Sequence, residues 1–148
     1  MIYLDSSALM KLVRQEEETV ALGEWLSLHP EQPVVTSELG SVEVLRAARR
    51  VGGQAPMEAR AVVADLDLVP LDRPVQDLAC DLADPLLRTL DALHLASAEL
   101  LGEALTAFIA YDHRLVAAAQ AAGLPVASPG MHPRRPKACR GPSGRSVA

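Results

Sequence analysis

Four acidic residues stand at or inside apolar runs, where a solvated charge has no need to be. They are Asp5 in MIYLDSSALMKL, Glu43 in ELGSVEVLRAARR, Asp91 in LLRTLDALHLASAEL and Asp112 in ALTAFIAYDHRLVAAA. A carboxylate beside a core costs several kcal/mol unless a partner offsets it. Nearby basic residues are too few to pair all four. One or two divalent cations would offset them together. A carboxylate cluster holding Mg²⁺ or Mn²⁺ can activate water against a phosphodiester.

Each acid also has an ordinary structural reading. Asp5 ends a strand-like run and can cap the following helix, but Ser6 or Ser7 offers the same cap and would free Asp5 to face a cleft. Glu43 lies mid-helix, where an exposed glutamate or a pair with Arg46 would explain it. Glu38 on the same helix is a rival, although a first-turn acid needs no further explanation. Asp91 is either a cap or a first-turn residue facing the cleft; His94, one turn on, reads as a satisfied core or surface group and at most as an outer support of the acids. Asp112 can cap the helix that begins at His113.

The elements that must position these acids follow from periodicity and punctuation. Strands are expected at Met1–Leu4, Pro33–Thr36, Leu68–Leu71, Ala107–Tyr111 and Pro125–Ala127. Helices are expected at Ala8–Arg14, Glu16–Leu28, Thr36 or Ser37 to Arg50, Pro56–Leu66, Pro74–Leu87, Thr89–Leu101 and His113–Ala122. Core positions are expected at Val20, Leu22, Trp25, Leu26 and Leu28 on the second helix, and Val42, Leu45 and Ala48 or Arg49 recur at helical spacing on the third. Glu16–Glu18 read as a solvated helix start. The alternation predicts an α/β chain with a mostly parallel sheet of about five short strands, whose ligands sit at the C-terminal strand ends. Asp5 and Asp112 fall at such ends.

The chain has 148 residues and 49% apolar content, enough for one core built on Leu, Val and Ala, since aromatics are 3%. Residues 131–148 carry five basic residues and no acid, so residues 1–130 carry nine basic and nineteen acidic residues, net −10. Bulk charge therefore excludes nonspecific nucleic-acid binding by the body of the chain. The expected division is a domain over 1–130 and a disordered basic Pro/Gly/Arg-rich tail over 131–148. Cys80 and Cys139 form neither a framework nor a metal-ligand pair; Cys80 reads as a small core residue, and a reducing cytoplasm fits. No uninterrupted apolar stretch reaches membrane-spanning length, and the first ten residues lack a signal peptide's basic start.

The order LDSSALMKL, SVEVLRAARR, LDALHLASA and YDHRLVAAA resembles the PIN domain, in particular the VapC-type toxins of toxin–antitoxin pairs. The resemblance covers Met1 to about Ser128. It implies a three-layer α/β/α sandwich and an Mg²⁺- or Mn²⁺-dependent endoribonuclease whose acidic quartet maps onto Asp5, Glu43, Asp91 and Asp112. Ser7 maps onto the hydroxyl residue that orders a water or the first acid. The resemblance also implies a homodimer, an RNA substrate and a cognate antitoxin that places a basic side chain among the acids. One position departs from the pattern: Ala110 stands where many relatives have Ser or Thr two residues before the last acid. Arg14, Arg46, Arg49 and Arg114 are candidate RNA phosphate contacts.

Three other readings compete. A PIN-like fold that has lost catalysis and only holds a partner would keep the shape without the chemistry. A phosphotransfer protein with Asp5 as acceptor lacks a second acid two residues on and a lysine near a later strand end. A dinucleotide-binding domain lacks the glycine-rich loop after the first strand.

Overall fold

A computed structural model describes residues 1–132 of the chain; the expected tail lies outside them except for Met131 and His132. The elements run β1 (Ile2–Leu4), α1 (Ser6–Val13), α2 (Thr19–Ser27), β2 (Val34–Ser37), α3 (Glu38–Val51), α4 (Ala55–Ala64), β3 (Asp67–Val69), α5 (Arg73–Asp81), α6 (Thr89–Glu99), β4 (Ala107–Ile109), α7 (His113–Ala121) and β5 (Val126–Ala127). A single 3-10 turn, Gly102–Ala104, joins α6 to β4. The sheet is wholly parallel in the order β3-β2-β1-β4-β5.

Alternation in the strands divides the core into two faces. Ile2, Leu4, Ala107 and Ile109 pack with Leu9, Leu22, Val44 and Ala48 from α1, α2 and α3. Tyr3, Val35, Phe108 and Ala110 turn to the other face, against Leu95, Leu115 and Ala119 from α6 and α7. Side chains two apart on a strand share a face, so three short strands are enough to feed both layers. The result is the expected three-layer α/β/α sandwich.

The order of the strands fixes where a site can form. The chain steps outward from β1 to β2 and β3, then returns to place β4 on the free side of β1. Leu4 pairs with Ile109, and the Asp5 N–H donates to the Ile109 carbonyl at 3.0 Å. The crevice above β1 and β4 is the topological switch point, where open parallel sheets hold ligands.

Several expectations change in detail. The helix expected to reach Leu87 stops at Asp81, because Pro85 disfavours helix at Asp84 and the Asp84 carboxylate turns back to accept from Leu86 N–H at 2.9 Å. The second helix begins at Thr19 rather than Glu16. Glu16 and Glu18 are not a solvated run: both bind the buried Lys11 ammonium, Glu16 at 3.0 Å and Glu18 at 2.6 Å. Val20, Leu28 and Val42 are exposed, and Val44 takes the core place on α3. Cys80 is exposed, not a core residue.

Candidate active site

Asp5 follows the last residue of β1 and is itself the N-cap of α1. Its Oδ1 accepts from the Ala8 N–H at 2.8 Å, so the alternative in which Ser6 or Ser7 caps the helix is not what forms. Ser7 instead serves the acid. Its hydroxyl lies 2.7 Å and 2.9 Å from the two Asp5 oxygens and accepts the Tyr111 N–H at 2.8 Å. One hydroxyl thus ties the end of β1 to the end of β4. Asp5 is 3% exposed. Burial pushes its pKa up to about 6, against the lowering effects of His94, Ser7 and Ala8 and with a further push from Glu43.

Asp112 caps α7, its Oδ1 accepting from Arg114 N–H at 2.7 Å and Leu115 N–H at 3.3 Å. No hydroxyl stands at Ala110, and among the described residues the Asp112 carboxylate is held by the two backbone N–H groups alone; Ser128, just past β5, donates instead to the Ala110 carbonyl at 2.7 Å. Asp91 is not a cap. Arg88 holds that place with no side-chain bond, and Asp91 sits on the first turn of α6. Its pKa is raised by burial first and then by the charge of Asp112, with Glu43 adding to the push. Glu43 neither stands free nor pairs with Arg46. Its Oε2 lies 2.8 Å from His94 Nε2. Burial would raise its pKa, but the His94 hydrogen bond and the Ser6 hydroxyl outweigh this and hold it below the usual glutamate range.

The acids are thus linked pairwise by charge: Glu43 pushes on Asp5, and Asp91 feels both Asp112 and Glu43. Among the described residues, no three His, Cys, Asp or Glu side chains close on each other tightly enough to enclose an ion alone. The donor set suits a hard cation all the same. Mg²⁺ binds one or two carboxylates directly and keeps several waters, so it does not require a closed cage of protein ligands. A carboxyl group buried at Asp5 beside like-charged neighbours is the arrangement that such a cation relieves.

Two clefts flank the acids. One, of about 420 Å³, runs between α1 and α3 and is lined by Ser6, Met10, Glu43, Arg46, Arg50 and Leu90 among others. The other, of about 360 Å³, lies between the start of α6 and α7, with Arg88, Asp91 and Arg114 on its walls. Of the candidate arginines, Arg46 lines the first cleft and Arg114 the second. Arg49 is exposed in the last turn of α3 but does not line the cleft. Arg14 ends α1, about 13 Å along the helix from Asp5, and lies 3.9 Å from Glu16. Arg50 and Arg88 escaped the sequence reading. The spacing 43, 46, 50 puts Arg50 on the face of Glu43, which was the available signal.

The PIN domain family matches residues 2–121 of the chain. Ribonuclease VapC47 of Mycobacterium tuberculosis (strain CDC 1551 / Oshkosh) is 44% identical over 133 residues, which cover 88% of this chain and 98% of the relative. Among solved structures, Mycobacterium tuberculosis VapC20, described as a sarcin–ricin loop cleaving toxin, superposes with a TM-score of 0.66 at 19% identity, covering 84% of this chain and 96% of that one. VapBC-5 of Mycobacterium tuberculosis, a member of the VapBC family of toxin–antitoxin systems, gives a TM-score of 0.55 at 20% identity, covering 85% and 96%.

Proposed function

The chain belongs to the PIN domain family, and from that premise we propose that it is a divalent-metal-dependent endoribonuclease, the toxin of a type II toxin–antitoxin pair. The observation that carries the proposal is that Asp5 and Asp112 stand past the C-terminal ends of neighbouring β1 and β4, while Glu43 from α3 pushes on Asp5 and Asp91 from α6 feels Asp112 and Glu43. The ribonuclease name of a relative with 44% identity over nearly its whole length supports the reaction. The chain carries an acid at each of the four positions of the family pattern, which disfavours a module that only binds.

Asp5, Asp91 and Asp112 would hold Mg²⁺ or Mn²⁺, and Glu43 would bind it or take the proton of the attacking water. When bound, the cation supplies a nucleophilic water at neutral pH and neutralises charge on the leaving 3′ oxygen. Asp5 and Asp112 each commit one oxygen to a helix cap, which fixes the direction of the other. Glu43, kept ionised by His94, can accept a proton. Arg46 and Arg50 on one side, Arg88 and Arg114 on the other, can bind phosphates flanking the scissile bond. An RNA strand would then cross the acids from α3 towards α7. The partner is a protein antitoxin that presents a basic side chain to the same acids, and the toxin acts as a homodimer in the cytoplasm. Among the described residues no helix is long and apolar enough to cross a membrane.

The test is cleavage of a total RNA pool by the wild-type protein and by Asp91→Asn, with Mg²⁺, with Mn²⁺ and with EDTA. The wild type should cut only with metal and the variant not at all. Full cleavage in EDTA by pure protein would refute the metal-dependent reading.

A further inference from the structure

Behind the acids runs a buried polar chain that the quartet does not include. Tyr3 leaves β1 on the α6 side of the sheet and stacks on Phe108 with ring centroids 5.4 Å apart. Its hydroxyl lies 2.8 Å from His94 Nδ1, and His94 Nε2 lies 2.8 Å from Glu43 Oε2. His94 is 2% exposed and Tyr3 fully buried. A carboxylate only accepts, so Nε2 carries the hydrogen. In the neutral ring Nδ1 must then accept, and the Tyr3 hydroxyl donates to it. Both bonds are thereby satisfied in one arrangement.

The surroundings keep that arrangement. Gly40, one turn before Glu43 on α3, lies against the imidazole: a Cβ there would stand 3.3 Å from His94 Cε1 and would collide with Thr36 Oγ1. Thr36 cannot yield easily, because its hydroxyl donates to the buried Leu4 carbonyl at 2.7 Å. The imidazole therefore has a tyrosine on one side, a glutamate on the other and a glycine above it. A glutamate on the face of a helix has three torsions and open cleft beside it. A fixed ring holding one of its oxygens removes most of that freedom.

We infer that Tyr3 and His94 are a positioning pair for Glu43, transmitting the fixed geometry of β1 to the one quartet member that lies mid-helix, far from any strand end. The inference rests on the reading of the quartet as a cation site. Asp5 and Asp112 are fixed by helix caps, whereas Glu43 has no cap to hold it. The pair does for Glu43 what the backbone N–H groups do for the two aspartates. Outer hydrogen-bond partners of this kind typically change metal affinity or activity 10- to 100-fold when removed.

The test measures Mn²⁺ affinity of the full-length protein by electron paramagnetic resonance, with thermal melts recorded in EDTA on the same samples. His94→Ala should weaken Mn²⁺ binding about tenfold or more. His94→Gln, whose amide can still donate to Glu43, should recover most of the affinity. Tyr3→Phe, which loses one oxygen, should weaken it less than His94→Ala. A purely structural role would lower the melting temperature and leave the affinity of the folded protein unchanged, and that result overturns the inference. If His94→Ala does not fold, unchanged affinity in Tyr3→Phe overturns it equally. A wild type that binds no Mn²⁺ would sink the metal-dependent reading together with this one; wild-type binding matched by the variants would sink this one alone.

Discussion

Replacing Asp5 by Asn should stabilise the metal-free protein while destroying its activity. Burial moves the Asp5 pKa from 3.8 to about 6, so the folded state holds the proton more tightly than the unfolded chain does. For a carboxyl shifted upward, ionisation costs folding free energy. The full stability is present below pH 3.8 and is lost as pH rises through the interval to about 6. At about 1.4 kcal/mol per tenfold change in proton affinity, the deficit above pH 7 is roughly 3 kcal/mol. Asparagine has no charge to bury, and it caps a helix about as well as aspartate, so the Ala8 N–H keeps its acceptor. Part of the gain is offset at Ser7, whose hydroxyl loses a carboxylate acceptor. A net gain of roughly 1–3 kcal/mol at pH 8 corresponds to about 3–9 °C in melting temperature for a domain of this size. Just over half of the roughly 3 kcal/mol deficit, about 1.6 kcal/mol, is already present at pH 5. The assay is thermal melting of both proteins in EDTA at pH 5 and pH 8, repeated with excess Mg²⁺. Mg²⁺ should raise the wild-type melting temperature and leave Asp5→Asn nearly unmoved. A variant that is no more stable than wild type at pH 8, or whose advantage is the same at both pH values, would refute the account of Asp5 as a buried charge awaiting a cation.

Other substitutions probe the supports around the acids. Ser7→Ala orphans the Tyr111 N–H and removes the hydroxyl between the Asp5 oxygens; chemical denaturation should show a loss of about 1–3 kcal/mol, with slower RNA cleavage in the folded variant. Gly40→Ala forces a methyl onto Thr36 and towards His94, and melts should show about 1–3 kcal/mol of destabilisation. Arg46→Ala combined with Arg50→Ala should flatten the salt dependence of RNA binding, measured by fluorescence anisotropy on an uncleavable RNA in EDTA; each lost phosphate contact lowers the slope of log K against log salt by about 0.7 for a single strand. An unchanged slope would show that the α1–α3 cleft does not touch the backbone.

The sequence determined the architecture because its signals are local. Alternating apolar triplets, glycine stops and cap residues set the order of strands and helices, and a run of crossovers leaves a parallel sheet as the simplest outcome. The acids were legible for a related reason: charge inside an apolar run needs an explanation wherever the chain folds. Tertiary structure decided what each acid does. Asp5 and Asp112 both act as caps, and each cap bond uses Oδ1, so capping, which the sequence set against a role in the site, leaves a second carboxylate oxygen at each aspartate. The partner of Glu43 came from 51 residues away on α6, where His94 meets α3 in the folded chain with its other ring nitrogen on the Tyr3 hydroxyl of β1. Lys11 drew Glu16 and Glu18 out of an expected helix by the same logic: burial of an ammonium group demands counter-charge, and only the folded chain reveals which group is buried. Local rules therefore reached as far as the elements and the suspect residues, while the pairing of polar groups across the core depended on distances that exist only in the folded chain.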